Sequence, residues 1–279
     1  KTGIHNIALS GGFFMNIKAN KVIMELPAVQ RLYICPSGGD ESCPIGAMYY
    51  GVVQLGLDPN TYCDNIKNIY LGNEFSETEI ENAIAKNCAG SGFTISRYDD
   101  IETEVAKLLS EEKVVSRGNG RMEFGARAMG NRSILAHPSS PDVVKVINEQ
   151  IKNRDFWMPF ACSILEERAD DYLINPKRIE MKYMAVSCET TPLAKKDLIA
   201  AIHPYDYTAR PQLVSPADNN SYYKILKNFD ALTGIGGVLN TSLNLHGEPL
   251  VNSPEDAIST FSRSGLHYLA LGNYMISKT

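Results

Sequence analysis

The 279-residue chain contains no run of 18 apolar residues and no signal-peptide pattern, so nothing in it reads as a membrane span or a secretory leader. It has no CxxC pair and no finger spacing. Its six cysteines (Cys35, Cys43, Cys63, Cys88, Cys162, Cys188) are scattered, the pattern of reduced and mostly buried thiols in a cytoplasmic protein. HExxH, HxxxH and GxSxG are all missing, and the histidines at 5, 137, 203, 246 and 267 show no ligand spacing. Metal or triad chemistry housed wholly in this chain is therefore not expected. Excess positive charge is absent too. A formal net charge of −5, with no basic stripe interleaved with aromatics, argues against a nucleic-acid or anionic-membrane partner.

What is present is an ordinary globular composition, 44% hydrophobic and 21% charged, in a length that favours two domains. Strand and helix patterns alternate, which predicts an α/β chain. "IHNIALS" and "RLYIC" read as strands that end on glycine turns, Gly11-Gly12 and Gly38-Gly39-Asp40, each followed by a helical pattern. The second of these helices, "ESCPIGAMYYGVVQLG", is expected to pack through Ile45, Gly46, Ala47 and Tyr50, with Pro44 in its first turn. Residues 57–75 are polar and irregular and mark a linker, which puts a domain boundary near residue 75. Beyond it, Ser76 and Glu79 form a capping box, and Ser253-Pro254-Glu255-Asp256 starts another capped helix. Between them "FTISRY", "KVVS", "PFACSIL", "KYMAVS", "PQLVS" and "GGVLN" read as strands, and Ser139 with Asp142 as a helix start.

Four stretches carry candidate chemistry. "GRMEFGARAMGNRSI" (120–134) places Arg121, Arg127 and Arg132 among glycines, an arrangement suited to an anion because guanidinium forks match phosphate or carboxylate oxygens. Glu123 is positioned to hold one of these arginines. "NEQIKNRDFWMPFACSIL" (148–165) adds Asn148, Lys152 and Arg154, with Asn148 and Lys152 on one face of a helix. "HPYDYTARPQLV" (203–214) adds Arg210. "GVLNTSLNLHGEPLV" (237–251) ends an apolar strand in Asn240, Thr241 and Ser242, with Asn244 close by, hydroxyls and amides suited to phosphate or ribose. The turns Gly11-Gly12 and Gly38-Gly39 are further candidate phosphate cradles, and Asp40 a candidate metal ligand. Each stretch alone is also compatible with a solvated loop, a polar turn or structural salt bridges. Together they point to an anion site for phosphate and nucleotide, in which catalysis rests on positioning and charge stabilisation.

In this order the four stretches resemble the C-terminal part of the O-carbamoyltransferase family, which modifies nodulation factors and antibiotics. The family's pattern is close to G-R-M-E-F-G-P-R-A-L-G-x-R-S-I, and this chain departs from it at Ala126 and Met129. "NEQIKNRDFWMPFACSIL" resembles the family's N-x-x-I-K-x-R-x-x-x-x-P-F-A, and "NTSLNLHGEPLV" its N-T-S-F-N-x-x-G-E-P-I-V. "TARPQ" matches as well, whereas "HPYDY" departs from the usual H-x-D-G, which leaves a role for His203 in doubt. "LSGGFFMNIKANKVI" and "PSGGDESCPIGAMYYG" look like the last portion of the family's actin-like, sugar-kinase type domain.

The resemblance implies a mixed-sheet, YrdC-like domain over residues 76–279. Residues 1–75 would be the C-terminal remnant of an actin-like domain with its linker. It also implies a two-site reaction, in which carbamoyl phosphate and ATP, with Mg2+, give carbamoyl-adenylate in the YrdC-like domain. The actin-like domain then passes the carbamoyl group to a hydroxyl of a small-molecule or oligosaccharide acceptor, assisted by a divalent metal such as iron. Arg127, Arg132, Lys152, Arg154 and Arg210 are expected to meet the polyanions, and Asn240, Thr241, Ser242 and Asn244 the carbamoyl amide or the nucleotide. Asp40 matches the family's metal-binding aspartate, but the accompanying H-x-x-x-H has no counterpart here. The chain is therefore expected to be a C-terminal fragment that lacks full carbamoyl transfer, with 1–56 only partly supported. A homodimer is compatible with this reading. A nucleotide-binding module without turnover and a threonylcarbamoyl-adenylate-type tRNA-modification enzyme stay open beside it.

Overall fold

The computed structural model describes residues 2–63, 68–90, 92–152 and 159–278. The first stretch carries β1 (Asn6–Leu9), α1 (Ile17–Glu25), β2 (Arg31–Ile34), α2 (Cys43–Gln54) and the short α3 (Pro59–Tyr62), with β1 and β2 paired in parallel. Next come α4 (Glu77–Cys88), β3 (Phe93–Arg97), α5 (Ile101–Ser110), β4 (Val115–Gly118) and β5 (Arg132–Ala136). They are followed by α6 (Asp142–Ile147), β6 (Ala161–Leu165), α7 (Ala169–Tyr172), the small hairpin partners β7 (Leu173–Ile174) and β8 (Glu189–Thr190), and α8 (Pro192–Asp197). The chain closes with β9 (Pro211–Val214), α9 (Asn220–Thr233), β10 (Gly237–Ser242), α10 (Pro254–Arg263), β11 (Tyr268–Leu271) and β12 (Tyr274–Lys278).

An eight-stranded sheet in the order β3-β12-β11-β4-β5-β10-β6-β9 is the frame. It is mixed: β11–β4 and β6–β9 run parallel and the other neighbours antiparallel. Its central strands are apolar on both sides because helices cover both faces. Leu135 and Val238 point to a cluster with Val105 and Leu109 of α5 and Leu226 and Phe229 of α9. Their chain neighbours Ile134 and Leu239 point the opposite way, to a cluster with Ile84 of α4 and Ile258 and Phe261 of α10. The predicted capping box of Ser76 with Glu79 forms, and the capped start expected at Ser253 is a second capping box, with Asp256.

Several local expectations differ from the structure. No strand is expected at "RSILA", which is the fully buried strand β5. "KYMAVS" carries no regular strand, and Ser139 caps nothing: α6 begins after Pro141 without a side-chain cap. A π-helical turn spans Asn148–Lys152, so the α-helical face assumed for Asn148 and Lys152 does not apply. The largest difference is α2, expected to be packed, in which no residue is buried and Met48, Tyr50 and Val53 are exposed. Its apolar side chains find no covering element among the described residues. By contrast α1 and β2 are anchored. Met24, Leu32 and Ile34 join the main core, and Lys177 donates to the carbonyls of Met24, Leu26 and Val29 at 2.6–2.8 Å.

Candidate functional site

The loop between β4 and β5 is organised around one carboxylate. Glu123 is buried, and its Oε1 accepts the backbone N–H groups of Met129 (2.7 Å), Asn131 (2.7 Å) and Arg132 (3.2 Å). Sequence reasoning assigned Glu123 to an arginine. The structure assigns it instead to a nest of amides, the kind of concavity that elsewhere binds external anions. The carbonyls on the far side of the turn are also held: Ala128 O by Asn240 Nδ2 (3.1 Å), and Met129 O by Gln212 Nε2 (2.9 Å) and Tyr70 OH (2.8 Å).

Two glycines make the path possible. Gly125 has φ 102° and lies so close to Ser37 that a Cβ would sit 2.5 Å from the serine Cβ. Gly130 has φ 107° and rests on the Tyr222 ring, 2.3 Å from where a Cβ would be. Beneath the turn, the buried Arg117 donates to Gly130 O, to Asn131 Oδ1 (3.1 Å) and to Ser221 Oγ (2.6 Å).

This scaffold lets residues 126–128 form one wall of a cavity of ≈510 Å3. Arg127, Arg210, Asn240, Thr241, Ser242 and Asn244 all line it, so six expected residues from three separate stretches converge. β10, antiparallel to both β5 and β6, brings the end of its strand beside the loop, and Arg210 immediately precedes β9. None of the cavity-lining residues among the described ones is acidic, and two of them are arginines. Ser242 donates to Asn244 Oδ1 (2.6 Å), whose Nδ2 in turn donates to Glu248 O (2.7 Å), and this fixes the polar turn.

The orientation of Asn240 follows from its neighbours. Gln212 gives its N–H to Met129 O, so its Oε1 accepts from Ser163 (2.7 Å). Ser163 Oγ then accepts from Asn240 Nδ2 (3.0 Å). Asn240 Oδ1 is left buried without a partner among the described residues. The nearby thiol of Cys162 is pushed up to about 12 by burial, which removes it as a nucleophile.

Other expected residues lie elsewhere. Arg132 is a β5 residue whose guanidinium donates to the carbonyls of Asn119 (2.9 Å), Gly120 (3.2 Å), Asn131 (3.1 Å) and Asn252 (3.1 Å). Burial disfavours its charge, and the four carbonyls compensate. It lines a separate small crevice with Asn252 and Ser253, not the cavity holding Arg127 and Arg210. Lys152 ends the π turn, while its side chain and Arg154, with Phe156 and Trp157, lie outside the described residues.

Gly11, Gly12 and Asp40 do not line the cavity. The two glycine turns instead meet each other, Gly38 packing against Gly11 O, and Asp40 is exposed at the start of a 3-10 turn. No group of three His, Cys, Asp or Glu side chains suited to a metal occurs among the described residues. His203 is engaged in its own turn, with Asp206 Oδ1 3.3 Å from Nδ1. Sequence reasoning passed over Pro159 and Met184 and read His246 as a surface or partly buried residue and not a base; all three also line the cavity. Met184 adopts φ 53°, a conformation that no sequence pattern signals.

Fold and site together define a mixed α/β protein with a cavity lined by two arginines and a strand end rich in hydroxyls and amides. Residues 106–278 match the family described as Carbamoyltransferase C-terminus, and the chain belongs to that family. Among its relatives, an uncharacterized protein of Methanocaldococcus jannaschii (MJ1058) is 34% identical over 279 residues, covering 100% of this chain and 45% of that protein. Nodulation protein NolNO of Sinorhizobium fredii is 33% identical, with 99% of this chain and 40% of that protein covered. Nodulation protein NolO of Bradyrhizobium diazoefficiens is 32% identical, with 99% and 50% covered. The chain thus spans half or less of the length of these three relatives. The solved structure of T. kodakarensis HypF overlaps 66% of this chain and 22% of its own at a TM-score of 0.44 and 14% identity, a likeness too remote to argue from.

Proposed function

We propose that the cavity lined by Arg127, Arg210 and Asn240–Asn244 binds carbamoyl phosphate and ATP and forms carbamoyl-adenylate, as part of an O-carbamoyltransferase. Residues 76–279 are the YrdC-like adenylate-forming domain in this reading, and 1–75 the end of an actin-like transfer domain. One observation carries it: cations, hydroxyls and amides from distant stretches line a single cavity, with no acidic lining residue among the described ones, in a member of the Carbamoyltransferase C-terminus family.

The chemistry balances with one water. Carbamoyl phosphate and water give carbamate and phosphate, and a carbamate oxygen then attacks the α-phosphorus of ATP and displaces pyrophosphate. Both substrates are polyanions and every leaving group is an anion, so permanent guanidinium charges stabilise what develops without giving up a proton. Arg127 and Arg210 hold phosphate oxygens, and Thr241, Ser242 and Asn244 orient the nucleotide or the carbamoyl amide. Mg2+ enters with ATP. Asp40 has no companion ligands suited to a metal among the described residues, so no step is derived through a metal of the transfer domain. Acceptor, transfer and cytoplasmic location belong to the whole protein and are expectations of the same reading.

Equilibrium titration tests the binding half. Carbamoyl phosphate and MgATP should each bind with one-site stoichiometry, and each should weaken at least about tenfold in Arg127→Ala and in Arg210→Ala. Tight ATP binding with no binding of carbamoyl phosphate favours a plain nucleotide-binding module.

A further inference from the structure

Met184 is held in place from behind the cavity. It lines the cavity with φ 53°, a left-handed conformation that a residue with a side chain keeps only where its surroundings impose it. Its buried side chain packs in a small cluster with Ala161 and with Met129, two residues along the loop from Arg127. On the other side stands α1. The carbonyl of the next residue, Ala185, accepts from Asn20 Nδ2 at 2.7 Å, and the second hydrogen of that amide goes to Phe14 O, also at 2.7 Å. Asn20 is fully buried, and its Oδ1 has no partner among the described residues. Two carbonyl partners fix which end of the amide faces them. The unpaired Oδ1 is a cost, so the two donors are what Asn20 contributes.

The attachment continues along the chain. Ser187 donates through both N and Oγ to Ile17 O (3.3 Å each), and Cys188 and Ala209 exchange backbone hydrogen bonds of 3.0 Å. Lys18 donates to Asp206 and to Thr208 Oγ1 (2.6 Å), two residues before Arg210. Thus α1 grips the chain directly after Met184 and shortly before Arg210, while lining no part of the cavity itself. We propose that Asn20, with Lys18 beside it, is a positioning residue for the cavity: docking of α1 sets the wall that Met184 and Arg210 form. The first stretch of the chain then tunes what the second binds. This rests on the cavity being an anion site only for its effect on affinity.

Hydrogen exchange and titration with inorganic pyrophosphate, both on the whole chain, test it. Asn20→Ala should speed exchange over 184–188 about fivefold or more and weaken pyrophosphate by a similar factor, the low end of coupling between two sites. Exchange in α5 and α9 should stay at the wild-type rate. Lys18→Ala should loosen 206–210 and weaken pyrophosphate in the same direction. The Lys18 side chain is 42% exposed, so its removal leaves the fold intact and decides the matter even where Asn20→Ala does not fold. Faster exchange everywhere, α5 and α9 included, would make Asn20 a plain stability residue and overturn the proposal. So would wild-type exchange over 184–188, or local loosening that leaves pyrophosphate affinity unchanged. A wild-type chain that binds no pyrophosphate overturns the anion-site reading and the affinity claim together, whereas the exchange pattern tests the α1 attachment independently.

Discussion

Glu123 Oε1 lies 2.7 Å from the backbone nitrogen of Asn131, and the same oxygen accepts from Met129 and Arg132. The anion most tightly held by the glycine- and arginine-rich loop is thus the protein's own carboxylate. That internal anion fixes the turn which carries Arg127 to the cavity wall, so Glu123 is a positioning residue for the site.

Glu123→Ala should leave three buried N–H groups unpaired and destabilise the chain by about 2–4 kcal/mol in urea unfolding. Glu123→Gln keeps an acceptor at the same place and should recover most of the stability and of the anion affinity. Equal damage from both substitutions would point to the charge, not the acceptor, as what the loop requires.

Arg132 and Arg127 stand five residues apart in one motif and should respond to mutation in opposite ways. Arg132→Ala strips donors from four backbone carbonyls and should cost about 2 kcal/mol or more of stability. Arg127→Ala should lower the urea midpoint less than Arg132→Ala does while weakening anion binding. Paired unfolding and binding curves for the two variants check this division.

That division was not legible in the sequence, where all three arginines of 120–134 read alike. Separating them requires knowing that carbonyls from Asn119 and Asn252 converge on Arg132, a long-range fact with no local signature. The features that were legible are local or periodic: the Ser76–Glu79 capping box, the capped helix start at Ser253, the apolar sheet strands, and the polar end of β10. The convergence of Arg127, Arg210 and Asn240–Asn244 was legible from motif order, because the resemblance supplied what spacing alone does not. Exposure of α2 was not, since an apolar helix pattern shows that a partner is needed but not whether one is near. The π turn at 148–152 and the left-handed Met184 escaped for a similar reason, being set by surroundings and not by residue preference.

Gly130→Ala should be among the most damaging small substitutions. It places a methyl against the Tyr222 ring at a φ of 107° that side chains resist. A loss of about 1–3 kcal/mol is expected. Gly247→Ala, with open space around it, should cost less than Gly130→Ala in the same thermal or urea assay.

The contact between α1 and the turn before Arg210 depends on pH. Burial pushes the Asp206 carboxyl up, but hydrogen bonds from Lys18 and from Thr208 outweigh it and hold the group well below the usual aspartate range. A depressed folded value means stabilisation present above the unfolded aspartate value, near pH 4, and lost as pH falls toward the folded one. Asp206→Asn should therefore be less stable than wild type at pH 7, with the difference shrinking below pH 4. Denaturation midpoints at pH 7 and pH 2.5 measure it, and a constant difference across that range would rule out the titration.

The central claim, that this cavity activates a carbamoyl group with ATP, is tested most directly by isotope exchange between labelled pyrophosphate and ATP in the presence of Mg2+. The account predicts exchange that requires carbamoyl phosphate, or carbamate formed from it, and that drops at least about tenfold in Arg127→Ala and in Arg210→Ala. Exchange that proceeds without a carbamoyl donor, or that survives both substitutions at the wild-type rate, would contradict it.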